Sequence, residues 1–162
     1  MTTYKTVNPA DGTTVKEFET LDTAGVERAL GDAHAGFQTW RKTSPKHRAE
    51  ILHKVADLYT ERSEELARTI SLEMGKPLTE SQGEVELSSS IYRYYADNGP
   101  TLLEDEKLDV PGAEDSVLQR KPVGALVGVM PWNFPYYHVA RFACPNLMVG
   151  NTILLKHAPN CP

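Results

Sequence analysis

Cysteine is scarce in this chain of 162 residues, which has only Cys144 and Cys161. Two cysteines do not make the disulfide framework that holds small secreted domains together. The first nine residues, M-T-T-Y-K-T-V-N-P, also lack the apolar core of a secretory signal. A cytoplasmic protein is therefore the simplest interpretation.

Long apolar runs and an excess of basic residues are missing as well. No stretch approaches the roughly 20 apolar residues that span a bilayer, so no membrane partner is expected. The formal net charge is −5, whereas nucleic-acid-binding domains usually carry a clustered basic excess. We therefore expect no nucleic-acid partner.

Glycine-rich phosphate loops and metal motifs are absent from the sequence too. It contains neither a G-x-G-x-x-G loop nor a Walker A motif. The histidines have no ligand-type spacing, so we predict no metal site; they are His34, His47, His53, His138 and His157. A nucleotide site, if there is one, must be built without a glycine loop in these residues.

What is present is the composition of an ordinary globular domain, with 40% hydrophobic and 24% charged residues. The first hundred residues are predicted to be mostly helical, after a turn at residues 8–12 and a short strand at residues 14–18. The predicted helices start near Asp22 or Thr23, at Ser44-Pro45, at Ser63 and near Leu78. The last of them is expected to end near residue 97, before a Gly-Pro pair.

The pattern changes to strands after residue 105. Residues 108–110 and 116–120 predict a hairpin with a loose turn. Residues 125–130 are apolar without alternation, which is typical of a strand buried on both faces. A helix over about residues 136–149 and a second strand over residues 152–156 complete a right-handed βαβ unit. Because two parallel strands cannot bury both faces, and the chain stops just after the second, we expect an incomplete fold.

One segment of this unit is unusual, the P-W-N-F-P stretch at residues 131–135. It follows a predicted parallel strand, and open α/β sheets bind their ligands at that end of the strands. An amide held there, that of Asn133, could donate a hydrogen bond to a developing oxyanion. The alternative, which physics alone favours, is that Asn133 merely hydrogen-bonds its own turn.

Lys156 ends the second predicted strand. Its ammonium could reach a ribose or a phosphate, although an ordinary exposed lysine is the simpler interpretation. Neither cysteine is expected to be catalytic. Cys144 lies in an apolar helical stretch, where cysteine is usually a small core residue, and Cys161 has no activating base near it in sequence.

These motifs also carry a family likeness. Residues 131–135, preceded by R-K-P-V-G at 120–124 and followed by G-N-T-I-L-L-K at 150–156, closely resemble the NAD(P)-dependent aldehyde dehydrogenase superfamily. Trp40, Arg48, the N-P-x-x-G motif at 8–12 and E-M-G-K-P at 73–77 match the same family in order. The variants L-L-K-H-A at 154–158 and R-F-A-C-P at 141–145 look most like bacterial succinate-semialdehyde dehydrogenases.

The resemblance implies an α/β fold in three parts. Residues 1–105 would be a helical part of a cofactor-binding domain, 106–122 a hairpin of a bridging domain, and 123–162 the start of a Rossmann-like βαβ unit. The catalytic domain would be absent. By the same likeness Asn133 would be the oxyanion-hole amide, and Lys156 would bind the adenine ribose of NAD or NADP. Met130, Pro131 and Trp132 would line the cofactor cleft.

Three departures from the family limit what this chain could do alone. The family's nucleophilic cysteine and its general-base glutamate lie downstream, and neither Cys144 nor Cys161 matches that cysteine. The glycine-containing loop that faces the pyrophosphate also lies downstream. Many members have, three residues after the lysine, a glutamate that repels a 2′-phosphate. Pro159 stands there, so NADP use is plausible.

The resemblance implies the N-terminal part of an oxidoreductase that oxidises an aldehyde to its acid, with succinate semialdehyde as the expected substrate. In such an enzyme a cysteine thiolate attacks the aldehyde, hydride passes to the nicotinamide, and water hydrolyses the thioester. The parent enzyme would be a homo-oligomer, and this chain alone inactive. Two alternatives stay open: a non-catalytic assembly protein that reuses half of the fold, and a CoA-acylating or acyl-phosphate-reducing relative.

Overall fold

A computed structural model describes residues 4–162. The first three residues of the segment that lacks a secretory signal lie outside the described residues. The elements, in chain order, are β1 (Tyr4–Val7), β2 (Thr14–Phe18), α1 (Thr23–Trp40), α2 (Pro45–Glu61), α3 (Ser63–Met74), α4 (Leu78–Leu102), β3 (Glu106–Lys107), β4 (Val117–Leu118), β5 (Ala125–Val129), α5 (Pro135–Val149) and β6 (Thr152–Lys156). Within residues 4–162, no helix has the length and apolarity needed to cross a membrane.

The starts of α1 and α2 follow from local capping. The Asp22 side chain accepts a hydrogen bond from the backbone N–H of Gly25 at 2.6 Å, and that of Ser44 accepts one from His47 at 3.1 Å. These bonds satisfy donors that the first turn of a helix leaves without a partner. The predicted starts of α1, α2, α3 and α4 are confirmed.

The predicted end of α4 is wrong. The helix continues past Gly99 and Pro100 to Leu102, and the backbone N–H of Leu103 donates to the carbonyl of Gly99. A proline removes one helical hydrogen bond. Pro100 lies in the last turn of α4, so the helix continues for only two residues after it. Packing compensates, since Gly99 lies directly against Met148 of α5, where a Cβ atom would come within 2.4 Å of the Met148 side chain.

The predicted hairpin exists, but its strands are shorter and its first strand lies earlier in the chain. Glu106 pairs with Leu118 and Lys107 with Val117, so β3 precedes the predicted 108–110 segment. Leu108 only donates its backbone N–H to the carbonyl of Ser116. The apolar residues in and beside this ribbon, such as Val110 and Val117, are exposed, so burial of one face does not fix its register.

The βαβ unit is confirmed. β5 and β6 are parallel, with register from Ala125 opposite Thr152 to Val129 opposite Lys156, and α5 connects them. The expectation that β5 is buried on both faces is wrong: Val127 is 62% exposed and Val129 74%. Gly128 instead faces Phe142 of α5. A two-stranded sheet with its connecting helix on one side leaves the other side open.

The main core forms where α2, α4 and α5 meet. Its fully or nearly fully buried members are Ala49, Leu52, Ala56, Tyr92, Ala96, Ala140, Cys144 and Met148. Five of these eight are alanine or cysteine, and such small side chains let the three helices approach closely. α5 is therefore packed along its length against α2 and α4. Its position also defines where the preceding segment, residues 131–135, lies.

Candidate active site at the end of the parallel strands

The predicted site residues lie at the edge where β5 and β6 both end. Val129 pairs with Lys156, and the backbone N–H of Met130 donates to the carbonyl of Lys156 at 2.9 Å. Parallel strands present their carboxyl ends at one edge of a sheet, and α/β proteins bind ligands there. The 131–135 segment and Lys156 thus share one edge, as their sequence positions predicted.

Asn133 is exposed on this edge and does not fold back onto its own turn. Its side-chain oxygen lies 3.3 Å from Nε2 of His138, one turn into α5. When Nε2 carries its proton, His138 donates to that oxygen and leaves the Asn133 NH₂ group to donate elsewhere. The alternative, in which the Asn133 side chain hydrogen-bonds the backbone of its own turn, is not seen among residues 4–162.

Lys156 is half-buried rather than freely solvated. Its ammonium donates to the carbonyl of His157 and lies 4.7 Å from the centre of the Tyr4 ring. The Tyr4 ring in turn packs edge-on against the His157 imidazole, with ring centres 4.9 Å apart. An ammonium has three donors, and within residues 4–162 only the one to His157 has a partner.

A cavity of about 240 Å³ opens beside this edge. Met130 and Pro131 line it, together with Glu73, Leu155, His157 and Cys161 among others. Trp132, Asn133 and Lys156 do not line it, and the Trp132 side chain is 53% exposed. The five predicted residues therefore share an edge of the sheet but not a single cavity.

Glu73 brings a carboxylate to this cavity. Burial raises its pKa above the ordinary value, while a 2.9 Å hydrogen bond from the Thr6 hydroxyl acts in the opposite direction. Thr6 belongs to β1, so this bond joins the N-terminal strand to Glu73. The sequence indicated Glu73 only as part of a family motif and gave it no separate role.

Neither cysteine is prepared for nucleophilic attack. Burial raises the pKa of the Cys144 thiol to about 12 and that of Cys161 to about 11. The thiolate is the nucleophilic form, so both side chains stay protonated near neutral pH. The expectation that Cys144 is a core residue is confirmed, since it belongs to the main hydrophobic cluster.

The start of α5 is held by a side chain from another helix. Pro135 occupies the first position and has no N–H, and Phe134 at the N-cap makes no side-chain cap. The next two donors, the backbone N–H groups of Tyr136 and Tyr137, both reach Oε1 of Glu84 on α4, at 2.9 and 3.2 Å. A carboxylate is favourable at this end of the helix dipole.

The other oxygen of Glu84 is paired with a cation. Oε2 of Glu84 accepts from the Lys76 ammonium, and the Glu84 side chain is fully buried. The same ammonium lies 3.6 Å from the centre of the Phe134 ring, which is within the range of a cation–π contact. Lys76 thus meets the 131–135 segment at Phe134, and Glu84 meets the two residues just beyond it.

The far end of α5 is capped from the helical region as well. Trp40 Nε1 donates to the carbonyl of Leu147 at 3.0 Å, and Arg48 Nε donates to that of Met148 at 2.8 Å. Arg48 is buried, and desolvation lowers its pKa. The family-like Trp40 and Arg48 therefore hold the helix that carries the site.

Sequence reasoning missed Glu84. A signal was available, because residue 134 is not one of the usual N-cap residues and Pro135 follows it. The N–H groups of Tyr136 and Tyr137 therefore needed an acceptor from elsewhere, but nothing in the sequence said which one. Across residues 4–162, no group of three or more His, Cys, Asp or Glu side chains is placed to hold a metal ion.

Known proteins are similar to this chain in sequence and in fold. The chain is 46% identical over 159 residues to succinate-semialdehyde dehydrogenase [NADP(+)] of Deinococcus radiodurans, covering 98% of this chain and 33% of the relative. It is 40% identical over 154 residues to the succinate semialdehyde dehydrogenase [NAD(P)+] Sad of Escherichia coli K12, covering 95% and 33%. The chain thus spans about a third of the length of these relatives.

A solved structure has the same fold over nearly all of this chain. The crystal structure of succinic semialdehyde dehydrogenase from Streptococcus pyogenes in complex with NADP+ superposes with a TM-score of 0.94 at 34% identity, over 98% of this chain and 35% of that one. The α/β fold class is confirmed, and this chain accounts for one part of that larger fold. A sequence model of the Aldehyde dehydrogenase family matches residues 1–162, and this chain belongs to that family.

Proposed function

We propose that the full-length protein carrying this sequence is an aldehyde dehydrogenase that oxidises succinate semialdehyde to its acid with NADP or NAD. One observation carries the proposal. The amide of Asn133 follows the carboxyl end of β5, at the same edge of the sheet as Lys156, and Glu84 anchors the residues after it. A rigid donor at this edge is suited to stabilise the oxygen of an aldehyde as it gains negative charge.

Each site residue has a part in this proposal. The Asn133 NH₂ donates to the aldehyde oxygen, while His138 holds the amide oxygen on the other side. Lys156 uses its two remaining donors for ribose hydroxyls, and Met130, Pro131 and Trp132 form an apolar wall for the nicotinamide end. These groups fit a dinucleotide, which needs donors for its sugar and flat apolar contacts for its rings. When bound, the cofactor accepts the hydride.

The parts of the chain would take different places in the whole enzyme. Residues 1–105 and 123–162 belong to the cofactor-binding domain in this proposal, and residues 106–122 to a bridging ribbon between subunits of a homo-oligomer. The nucleophilic cysteine and the general base would come from outside these 162 residues. The high pKa values of Cys144 and Cys161 support a nucleophile from outside these residues, because neither thiol readily forms a thiolate.

NADP is expected to be accepted. Pro159 is exposed and lies three residues after Lys156, where a glutamate in the family would repel a 2′-phosphate. Without that carboxylate, the phosphate meets no like charge from this position. The sequence of Deinococcus radiodurans that resembles this chain is described as NADP-dependent, which supports the same expectation.

A direct assay tests the proposal. The full-length protein should reduce NADP or NAD only when succinate semialdehyde is added, and faster than with an uncharged aldehyde of similar length. The 162-residue chain, assayed in parallel, should give no reduction. Reduction by the short chain, or a preference for the uncharged aldehyde, would contradict the proposal.

The open face of the β5–β6 sheet favours a second candidate, a non-catalytic assembly protein. Val127 and Val129 expose apolar side chains there, and exposed edges and apolar faces of sheets tend to pair with other chains. The mass of the protein as its organism makes it separates the two candidates. A native mass of 18.0 kDa favours assembly, and a much larger mass favours the enzyme.

A further inference from the structure

The buried pair of Lys76 and Glu84 lies outside the proposed chemistry but against the segment that carries it. Lys76 comes from the loop before α4 and Glu84 from the second turn of α4. Burying two charges costs free energy, which a direct bond and further hydrogen bonds must offset. Here the further bonds all go to one place, the first turn of α5.

We propose that Glu84, paired with Lys76, is a positioning residue that sets the orientation of Asn133 by anchoring the residues after it. The inference rests on the proposed role of Asn133. Glu84 Oε1 fixes the N–H groups at positions 136 and 137, and Lys76 packs on the ring at position 134. Asn133 is thus the residue directly before these contacts, and the position of its backbone depends on them.

The charge of Glu84 is needed for both contacts at once. A carboxylate has two acceptor oxygens, and one serves the helix while the other serves Lys76. A glutamine has only one oxygen, so its NH₂ must face either the Tyr136 and Tyr137 donors or the Lys76 ammonium. In the first arrangement the first turn of α5 loses its acceptor. In the second, Lys76 loses its partner and with it the position of its ammonium against the ring of residue 134.

The experiment is a double-mutant cycle in the full-length enzyme. Glu84→Gln is made in the wild-type and in the Asn133→Ala background, and kcat and Tm are measured for all four proteins. Glu86→Gln is the matched control, because it removes a carboxylate from the exposed side of the same helix. We expect Glu84→Gln to lower kcat about tenfold in the wild-type background, since small misplacements at a reacting centre are costly.

In the Asn133→Ala background the same change should lower kcat less than about twofold, because the group it positions is gone. The loss of Tm should be equal in both backgrounds, which separates positioning from stability. Glu86→Gln should leave kcat unchanged in both. An equal loss of kcat in the two backgrounds, or full kcat in a folded Glu84→Gln protein, would overturn the inference.

Two other outcomes are also decisive. If Glu84→Gln does not fold, Glu84→Asp keeps the charge, draws it back from α5 and is judged by the same comparison. If Asn133→Ala alone keeps full kcat, the oxyanion role fails, and the inference fails with it. That result is read from a protein in which Glu84 is intact, so the two failures are distinguishable.

Discussion

The indole N–H of Trp40 donates to the carbonyl of Leu147, 3.0 Å away and 107 positions later in the chain. Trp40 is the last residue of α1, and Leu147 lies in the last turn of α5. This bond therefore joins the end of α1 to the end of the helix that follows the 131–135 segment. The contribution of this hydrogen bond to the free energy of unfolding should be measurable.

Trp40→Phe keeps most of the aromatic packing but removes the donor. We expect the free energy of unfolding to fall by about 1–2 kcal/mol, which is the cost of one lost hydrogen bond to a partly buried carbonyl. Urea unfolding followed by circular dichroism measures it. Trp132→Phe is the control, because Trp132 is half exposed, and it should change stability by less than about 0.5 kcal/mol.

Two glycines in α4 should respond with opposite signs to the same substitution. Gly99→Ala places a Cβ within 2.4 Å of the buried Met148 side chain, whereas a Cβ at Gly83 meets nothing within 4 Å. We expect Gly99→Ala to destabilise by about 1–3 kcal/mol through overpacking. Gly83→Ala should stabilise by about 0.5–1 kcal/mol, because alanine favours the helix. Thermal melts that shift in the same direction would contradict this packing.

Stability should fall in alkali because of the buried thiols. The pKa of Cys144 is about 12 in the folded protein against an ordinary 9.0. Between these values the unfolded chain loses the proton and the folded chain keeps it, so the free energy of unfolding decreases as pH rises above about 9. From about pH 9 to about pH 10 the thiol contributes a loss of about 1 kcal/mol.

The variant that checks this is Cys144→Ala. It leaves a small cavity and lowers stability at every pH, but it should reduce the alkaline loss by that same amount. Urea unfolding at about pH 9 and about pH 10 gives the change in the free energy of unfolding for each protein. Equal changes in wild type and variant would show that Cys144 ionises equally in both states. Tyr59 and Tyr92, whose pKa values are also raised by burial, contribute in both proteins.

Cofactor choice should depend on residue 159. Pro159→Glu in the full-length enzyme restores a carboxylate three residues after Lys156, and we expect it to raise the Kd of NADP about tenfold, which corresponds to about 1.4 kcal/mol. The Kd of NAD should change less than about twofold. Asn160→Asp, one residue further along on the exposed surface, adds the same charge as a control. An equal effect of Pro159→Glu on both nucleotides would contradict the 2′-phosphate explanation.

Local signals in the sequence predicted much of this structure. Ser44 followed by Pro45 marks a helix start whose capping bond spans three residues, and Gly150 ends α5 with φ of 107°. The apolar runs on either side of α5, which do not alternate with polar residues, predict the two strands of the βαβ unit. Each of these features depends on neighbours within a few residues, so single-sequence reasoning reaches them.

The features that sequence reasoning missed depend on distant partners. The Glu84 bond to α5 spans 52 positions, and the continuation of α4 through Pro100 depends on Met148. The exposure of Val127 and Val129 depends on what covers the sheet. Within the site, the edge shared by residue 133 and Lys156 followed from βαβ topology. That topology does not predict which of the site residues line the cavity and which lie outside it.

The most direct test of the account is the turnover of Asn133→Ala in the full-length enzyme with succinate semialdehyde. We predict that kcat falls about 10²- to 10³-fold, the usual cost of removing one oxyanion donor, while the Kd of NADP and the Tm stay close to wild type. A variant that keeps its kcat, or that loses activity only because cofactor no longer binds, would contradict the account.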